Sequence, residues 1–505
     1  MTVSVAPPAR FPLDRPLAWL LLLALGHVVA RVAVSPGLKW DEAEQVLWSQ
    51  QLALGYGAQP PLYTWLQWGV NQLLGPSVLA LSLLKHTLLA LTYVFMYLAG
   101  RELLAPRGAW WAAASMLLMP ALGWYSIREH THTVLITTLT CGLWWLLLRG
   151  VRRPRALGFV LIGLVCGLGV LAKYSFALIA VALLAAALTV PQVRRALLVP
   201  GWWWAPVVGL LVVAPHAVWL IGHLDEATGA TVAKMAIDPA QRLATGLPRL
   251  LGALAGSLAL FALLALWAFR TACWRPSQAP ASAWAQALFV RYLMAIGLAL
   301  LALVWLAGVT AFKSRWLLPM VCVVPLAVFA ARPDLQQHPR ARRYTLAIVA
   351  LALVILTAAA VRPWYDGLRG DPGELNHPVA DLAAALRRAG YDGRGVIVAS
   401  HPILAAELRT RFPQARATAC YWRNTVVGDC MAAARARAEA AGQPLLLIDR
   451  QDASELNWWD WVEAPATGLD MQRLELPFLK VRAGAPPARY EYVWLAPATT
   501  LEPPT

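Results

Sequence analysis

The sequence predicts a mainly α fold: a polytopic bundle of about eleven transmembrane helices followed by a small α/β domain. Three observations carry that prediction. Apolar residues make up 59% of the chain and charged residues only 14%, where soluble domains carry roughly a quarter charged. Mean hydropathy is +0.55. The 25 tryptophans suit the aromatic belts of membrane–water interfaces.

Apolar runs of helical length fall near 17–34, 78–98, 109–124, 133–148, 157–171, 176–190, 203–220, 248–269, 290–309, 316–331 and 344–361. The first, Leu17 to Val34, has no small-residue cleavage site soon after it and reads as a span rather than a cleaved signal. The runs 157–171 and 176–190 are separated only by Lys173, Tyr174 and Ser175, so they form two spans or one broken helix. A lysine there requires an interface or a polar cavity.

The net charge of +16 does not indicate nucleic-acid binding. The cations sit in short clusters between apolar runs, where the positive-inside rule places them, and no soluble module carries a basic stripe. With a cytoplasmic N-terminus, inner loops hold Arg101, Arg107, Arg149, Arg152, Arg153, Arg155, Arg194, Arg195, Arg270, Arg275, Arg332, Arg340, Arg342 and Arg343. The outer loops then hold Lys39, Arg128, Lys173, Lys234, Arg242, Lys313 and Arg315. Eleven spans place the C-terminal domain outside, which in a bacterial inner-membrane protein is the periplasm.

The segment 35–77 forms the first outer loop of a membrane domain covering 1–361. Trp40, Ala43, Val46, Leu47 and Leu54 keep helical spacing, as do Leu62, Trp65, Leu66, Leu73 and Leu74. Two amphipathic helices lying on the membrane are expected, joined by a turn at Gly55–Pro61. From 362 to 505 the composition becomes soluble. Helices are expected over Val379–Ala389 and Ile403–Phe412, and strands over Gly395–Ala399 and Pro444–Asp449, an α/β pattern. No glycine-rich phosphate loop follows a strand.

Cys141, Cys166, Cys273 and Cys322 lie in or beside apolar runs and read as packing residues. Cys420 and Cys430 lie in the outer domain, where an oxidising compartment permits a bond. No Cys/His cluster has zinc spacing. His130 and His132, two residues apart, do not share a helical face; His216 and His223 read as interfacial. No cofactor is required and no metal is indicated.

The segment Trp40-Asp41-Glu42-Ala43-Glu44 puts carboxylates just after the first span. Taken alone, they serve the first turn of a helix or chemistry at the outer face. Around them, this region resembles the polyprenyl-phosphate-dependent glycosyltransferases of the GT-C superfamily. Within it, the chain is most similar to bacterial protein-mannosyltransferase-type members (glycosyltransferase family 39) and aminoarabinose transferases acting on lipid A. The Asp41-Glu42 pair matches their Asp-Glu pair, and Gln59-Pro60-Pro61-Leu62-Tyr63-Thr64-Trp65 their Pro-Pro-Leu-x-x-Trp-like segment. Lys85 early in the second span, Gly100-Arg101-Glu102-Leu103 at its close, and Leu171-Ala172-Lys173-Tyr174-Ser175 follow in order. Phe312-Lys313-Ser314-Arg315-Trp316-Leu317-Leu318-Pro319 resembles the late outer-loop motif. The resemblance covers roughly residues 10–330. The chain departs from it in the loop Ser126-Ile127-Arg128-Glu129-His130-Thr131-His132-Thr133, where many relatives carry a second acidic residue; Glu129 or His132 stands there instead.

The resemblance implies a sugar on a polyprenyl phosphate as donor, a lipid, glycan or protein as acceptor, and inversion at the anomeric centre. Asp41, with Glu42 beside it, is the candidate general base. Lys85, Arg128, Lys173, Lys313 and Arg315 are candidates for the leaving phosphate. Glu129, His132 and Tyr63 are candidates on the acceptor side. A flippase for a lipid-linked glycan, or a lipid-linked oligosaccharide polymerase or ligase, is the alternative. Transporters tend to show repeated halves, and none is visible here.

Overall fold

The computed structural model describes residues 15–270, 272, 281–420, 427–451, 458–461, 471–482 and 484–495. Cys273 and Arg275 lie outside them. The chain divides into two compact units, one of residues 1–27, 54–63 and 85–356, the other of residues 28–53, 64–84 and 357–505. Residues 35–53 and 64–77 of the segment 35–77 fall in the second unit, and 54–63 in the first.

Among the described residues, eight helices are long and apolar enough to span a bilayer: Leu17–Val34, Val78–Arg101, Thr131–Arg152, Trp204–Gly222, Pro239–Phe269, Ala283–Trp305, Ser314–Ala331 and Ala341–Leu368. The other three apolar runs form shorter or broken helices. The run 109–124 is a helix, Pro106–Ala114, followed by a 3-10 turn at Ser115–Leu118 and a π turn at Ala121–Tyr125. Pro120, which lacks an amide donor, separates those turns. The helix Ala156–Ala172 has 17 residues. Phe176–Thr189 bends by 111° into Pro191–Leu197, a pair that would count as a ninth span.

Small residues and buried hydroxyls hold the first unit together. A Cβ on Gly163 would lie 2.3 Å from the Ala205 carbonyl oxygen, and one on Gly167 would lie 2.7 Å from Val212. This GxxxG pair therefore lets helix Ala156–Ala172 approach the backbone of Trp204–Gly222. Thr92 and Thr138 share a hydrogen bond of 2.8 Å between two other spans, and Thr138 also donates to the Leu88 carbonyl. Trp111 packs tilted or edge-on against Phe269, Phe329 and Tyr344 and donates to Thr345 Oγ1 at 2.9 Å.

The C-terminal domain is built on a five-stranded sheet of β1 (Val396–Ala399), β2 (Arg416–Ala419), β3 (Leu445–Arg450), β4 (Gln472–Leu476) and β5 (Ala488–Leu495). The order is β2-β1-β3-β5-β4, parallel from β2 to β3 and antiparallel beyond. Side-chain alternation sends Ile397, Leu446 and Ile448 to the face covered by helices Val379–Arg388 and Pro402–Arg411. Val396, Val398, Leu445 and Leu447 face Met431, Ala434 and Ala438 of helix Val427–Ala440. The two expected helices and two expected strands are present; β2, β4 and β5 are additional.

Cys420, just after β2, is bonded to Cys430 in the last of these helices. A loop this short gives about 3 kcal/mol of stabilisation in the chain-entropy description. Replacing both cysteines with serine is expected to lower the unfolding free energy of the domain by that amount, as read by denaturant unfolding, with the sheet retained.

Candidate active site

The carboxylates Asp41, Glu42 and Glu44 belong to the second unit. There, α1 (Arg15–Val34) leads into α2 (Trp40–Trp48), and α3 (Leu62–Leu74) precedes α4 (Val78–Arg101). Arg31, in the last turn of α1, turns back onto the loop. Its Nε donates to Glu42 Oε1 at 3.0 Å and its Nη2 to Glu42 Oε2 at 2.5 Å. The same guanidinium donates to the carbonyls of Ser35 and Gly37. Glu42 Oε2 also accepts from the Lys39 amide at 3.0 Å, capping the start of α2 from its third residue. Glu42 is 1% exposed. Both of its oxygens are thus committed to holding the loop. Asp41, on the same turn, is half-buried.

The apolar face of α2 was expected to lie on the membrane. Instead Leu38, Ala43 and Val46 pack with Leu81 of α4 and with Ile403 and Ala406 of helix Pro402–Arg411. A protein surface covers this face, because the C-terminal domain presents an apolar helix at the same spacing. Polar anchors surround the contact. Glu407 Oε1 accepts from the Leu38 amide at 3.0 Å. Its other oxygen lies 3.4 Å from His377, which in turn is bonded to the Arg450 guanidinium at 2.7–2.9 Å. Lys39 pairs with Glu374 at 2.7 Å. The Trp40 ring meets His401 edge-on at 5.3 Å. Burial pushes the His401 imidazole down to about 4, with Arg450 and His377 adding to the effect; it is neutral at physiological pH. Gln50 exchanges two hydrogen bonds with Ala417 of β2, at 2.7 and 2.9 Å. On the other side of α2, Gln45, Ser49, Thr64, Gln67 and Asn71 form a polar seam with α3. Leu73 and Leu74 of α3 stay exposed, as an interfacial helix requires.

The cationic candidates belong to the first unit. Lys85 is 1% exposed within α4, so its aliphatic stem is fully enclosed. Beside it in sequence, His86 stacks on His27 with ring centroids 5.8 Å apart. The guanidinium of Arg128 lies 5.3 Å over the Trp124 ring. Glu129 is half-buried in the loop that follows. His130 has φ 68° and ψ 40°, left-handed backbone that a non-glycine residue seldom adopts, immediately before helix Thr131–Arg152. This turn points the next residues inward: His132 is buried and packs its ring 5.5 Å from that of Tyr63. Lys173 Nζ lies 3.4 Å from Thr133 Oγ1. Tyr63, His132, Thr133 and Lys173 are therefore brought together from three separate segments. His216 is buried rather than interfacial, held between the Tyr174 hydroxyl at 3.0 Å and the Leu54 carbonyl at 2.6 Å.

Lys313 is exposed and its ammonium lies 5.8 Å over the Trp316 ring. Partial burial, then the positive charges of Arg315 and Lys234, pull it below the usual lysine range. A cation held near other cations gains stability from a bound anion. Lys234 was read from sequence only as a loop cation; its proximity to Lys313 adds it to this cluster.

A profile of the dolichyl-phosphate-mannose-protein mannosyltransferase family matches residues 58–219. The lipopolysaccharide core galacturonosyltransferase RgtA of Rhizobium johnstonii is 33% identical over 397 residues, 77% of this chain and 78% of its own. RgtB of the same organism, also a lipopolysaccharide core galacturonosyltransferase, is 30% identical over 410 residues, 79% of this chain and 82% of its own. Among solved structures, ArnT from Cupriavidus metallidurans bound to undecaprenyl phosphate superposes with a TM-score of 0.59. That match covers 97% of this chain and 99% of ArnT at 13% identity, so it concerns the fold. The chain belongs to the same family as RgtA and RgtB and is a membrane glycosyltransferase of the GT-C superfamily.

Proposed function

We propose that this protein transfers galacturonic acid from a polyprenyl-phosphate donor to the core sugars of a lipopolysaccharide at the outer face of the inner membrane. The likeness to RgtA and RgtB over more than three quarters of the chain carries this reading. The Cys420–Cys430 bond supports an outward-facing C-terminal domain.

In the reaction, an acceptor hydroxyl oxygen attacks the anomeric carbon and the bond from that carbon to the lipid phosphate breaks. The acceptor proton goes to Asp41, and the polyprenyl phosphate leaves as an anion with inversion at the sugar. Asp41 takes this role by its match to the family's Asp-Glu pair, while Glu42, held by Arg31 and the Lys39 amide, supports the loop beside it. Lys313 and Arg315, with Lys85, Arg128 and Lys173, neutralise the leaving phosphate. Tyr63, His132 and Glu129 orient the acceptor.

Purified protein in lipid nanodiscs, given polyprenyl-phosphate galacturonic acid and lipopolysaccharide lacking core galacturonate, should add one uronic-acid residue detectable by mass spectrometry. Transfer only from a neutral or aminosugar donor would refute the sugar assignment. For the phosphate, Lys313→Gln and Arg315→Gln are each expected to weaken donor binding by about 1.5–3 kcal/mol, as one charge-assisted contact is lost. Unchanged donor affinity in both folded variants would remove this pair from the site.

A further inference from the structure

A cavity of about 510 Å³ opens in the second unit, and none of the candidate reacting groups lines it. Its floor is apolar: Val32, Ala33 and Val34 at the end of α1, and Val78 and Leu79 at the start of α4. Val32 is 42% and Leu79 43% exposed, and the same helices expose Val29 and Leu83 one turn further along. On two spans of this hydropathy, such an exposed strip is a surface for acyl chains. The rim is different in kind. It carries the hydroxyls of Ser35, Ser77 and Thr410, and two cations, Arg411 and Lys480.

Neither cation is paired with a carboxylate among the described residues. The Arg411 Nε is buried and has no hydrogen-bond partner among the described residues. Lys480 sits on left-handed backbone, φ 55°, its ammonium donating to the Val34 carbonyl and lying 4.8 Å over the Trp364 ring. Burial holds its pKa below the usual lysine range. Two partly desolvated cations over an apolar floor at the end of two spans are complementary to an anionic head joined to acyl chains.

We propose that this cavity seats an anionic phospholipid of the adjacent leaflet, with Arg411 and Lys480 on its phosphate and its first acyl carbons against Val32, Val34, Val78 and Leu79. Asp41 and the cations assigned to the donor do not line it, so the bound lipid is not a substrate. It ties the ends of α1 and α4 to the last turn of helix Pro402–Arg411 within the second unit, and so stabilises the segment that leads into α2.

The test is native mass spectrometry of the full chain released from nanodiscs of phosphatidylcholine containing phosphatidylglycerol. The wild type should retain one phosphatidylglycerol about tenfold in preference to phosphatidylcholine. Arg411→Gln and Lys480→Gln should each reduce that preference severalfold and the double variant should abolish it, while Arg411→Lys restores part of it. Arg388→Gln, an exposed arginine of the same domain, should change nothing. Equal retention of the two lipids by the wild type would overturn the proposal without calling on any variant. So would an undiminished preference in the folded double variant. Displacement of the phosphatidylglycerol by a stoichiometric amount of phosphorylated lipopolysaccharide acceptor would also overturn it, by giving the cavity to the substrate.

Discussion

Asp41→Asn is expected to lower kcat by about a hundred- to ten-thousand-fold, the usual value of general-base assistance, with donor affinity little changed. Asparagine keeps the shape and one acceptor oxygen but takes no proton at neutral pH. The comparison is sharp because capping of α2 is done elsewhere. Glu42 accepts from the Lys39 amide, so the start of the helix does not depend on a charge at position 41. A purified variant assayed with a hydroxyl acceptor separates the two roles. If turnover stays near normal, Asp41 leaves the mechanism, and Glu44 and Glu129 become the next carboxylates to replace. A parallel fall in donor binding would instead place Asp41 beside the phosphate cations as an orienting group.

The spans were legible because a bilayer imposes one simple rule, a long apolar helix, and eight of the eleven apolar runs satisfy it outright. The remaining three have identifiable breaks: Pro120 and the turns around it, the 17-residue length of Ala156–Ala172, and the bend before Pro191. The candidate site segments could be proposed from sequence because they are local: Asp41-Glu42, Lys173-Tyr174 and Lys313-Ser314-Arg315 are each contiguous. Their partners were not. Glu407, His377, Glu374 and Arg450 lie more than 300 residues from Leu38 and Lys39, which Glu407 and Glu374 contact directly and the other two through Glu407. No local pattern encodes such a pairing. Arg31 carried a weak signal, a single arginine in the last turn of an apolar helix, where a charge needs a partner or water. β5 also had one, since Ala488, Tyr490 and Tyr492 alternate onto a single face. β2, Arg-Ala-Thr-Ala, had none; it exists because β1 offers it an edge.

Glu42→Ala and Arg31→Ala are each expected to loosen the loop by about 3–5 kcal/mol, whereas replacing both with methionine should cost far less. Either single change leaves one charge buried without its opposite, and that penalty exceeds what the intact pair contributes. The geometry makes the asymmetry concrete. Without Glu42, the Arg31 guanidinium keeps only the Ser35 and Gly37 carbonyls. Without Arg31, a carboxylate stays in a place where its side chain is 2% exposed. The double methionine variant removes both charges and fills similar space, losing mainly the cap on the Lys39 amide, worth about 1 kcal/mol. Hydrogen exchange of amides 36–48 reads the local opening free energy, and the double-mutant cycle isolates the pair. Glu42→Gln completes the argument. Glutamine still accepts from the Lys39 amide but leaves Arg31 without a counter-charge, so exchange should quicken and turnover fall together. A fall in turnover with exchange unchanged would mean that the Glu42 carboxylate acts on the substrate, and the base would then have to be shared between positions 41 and 42.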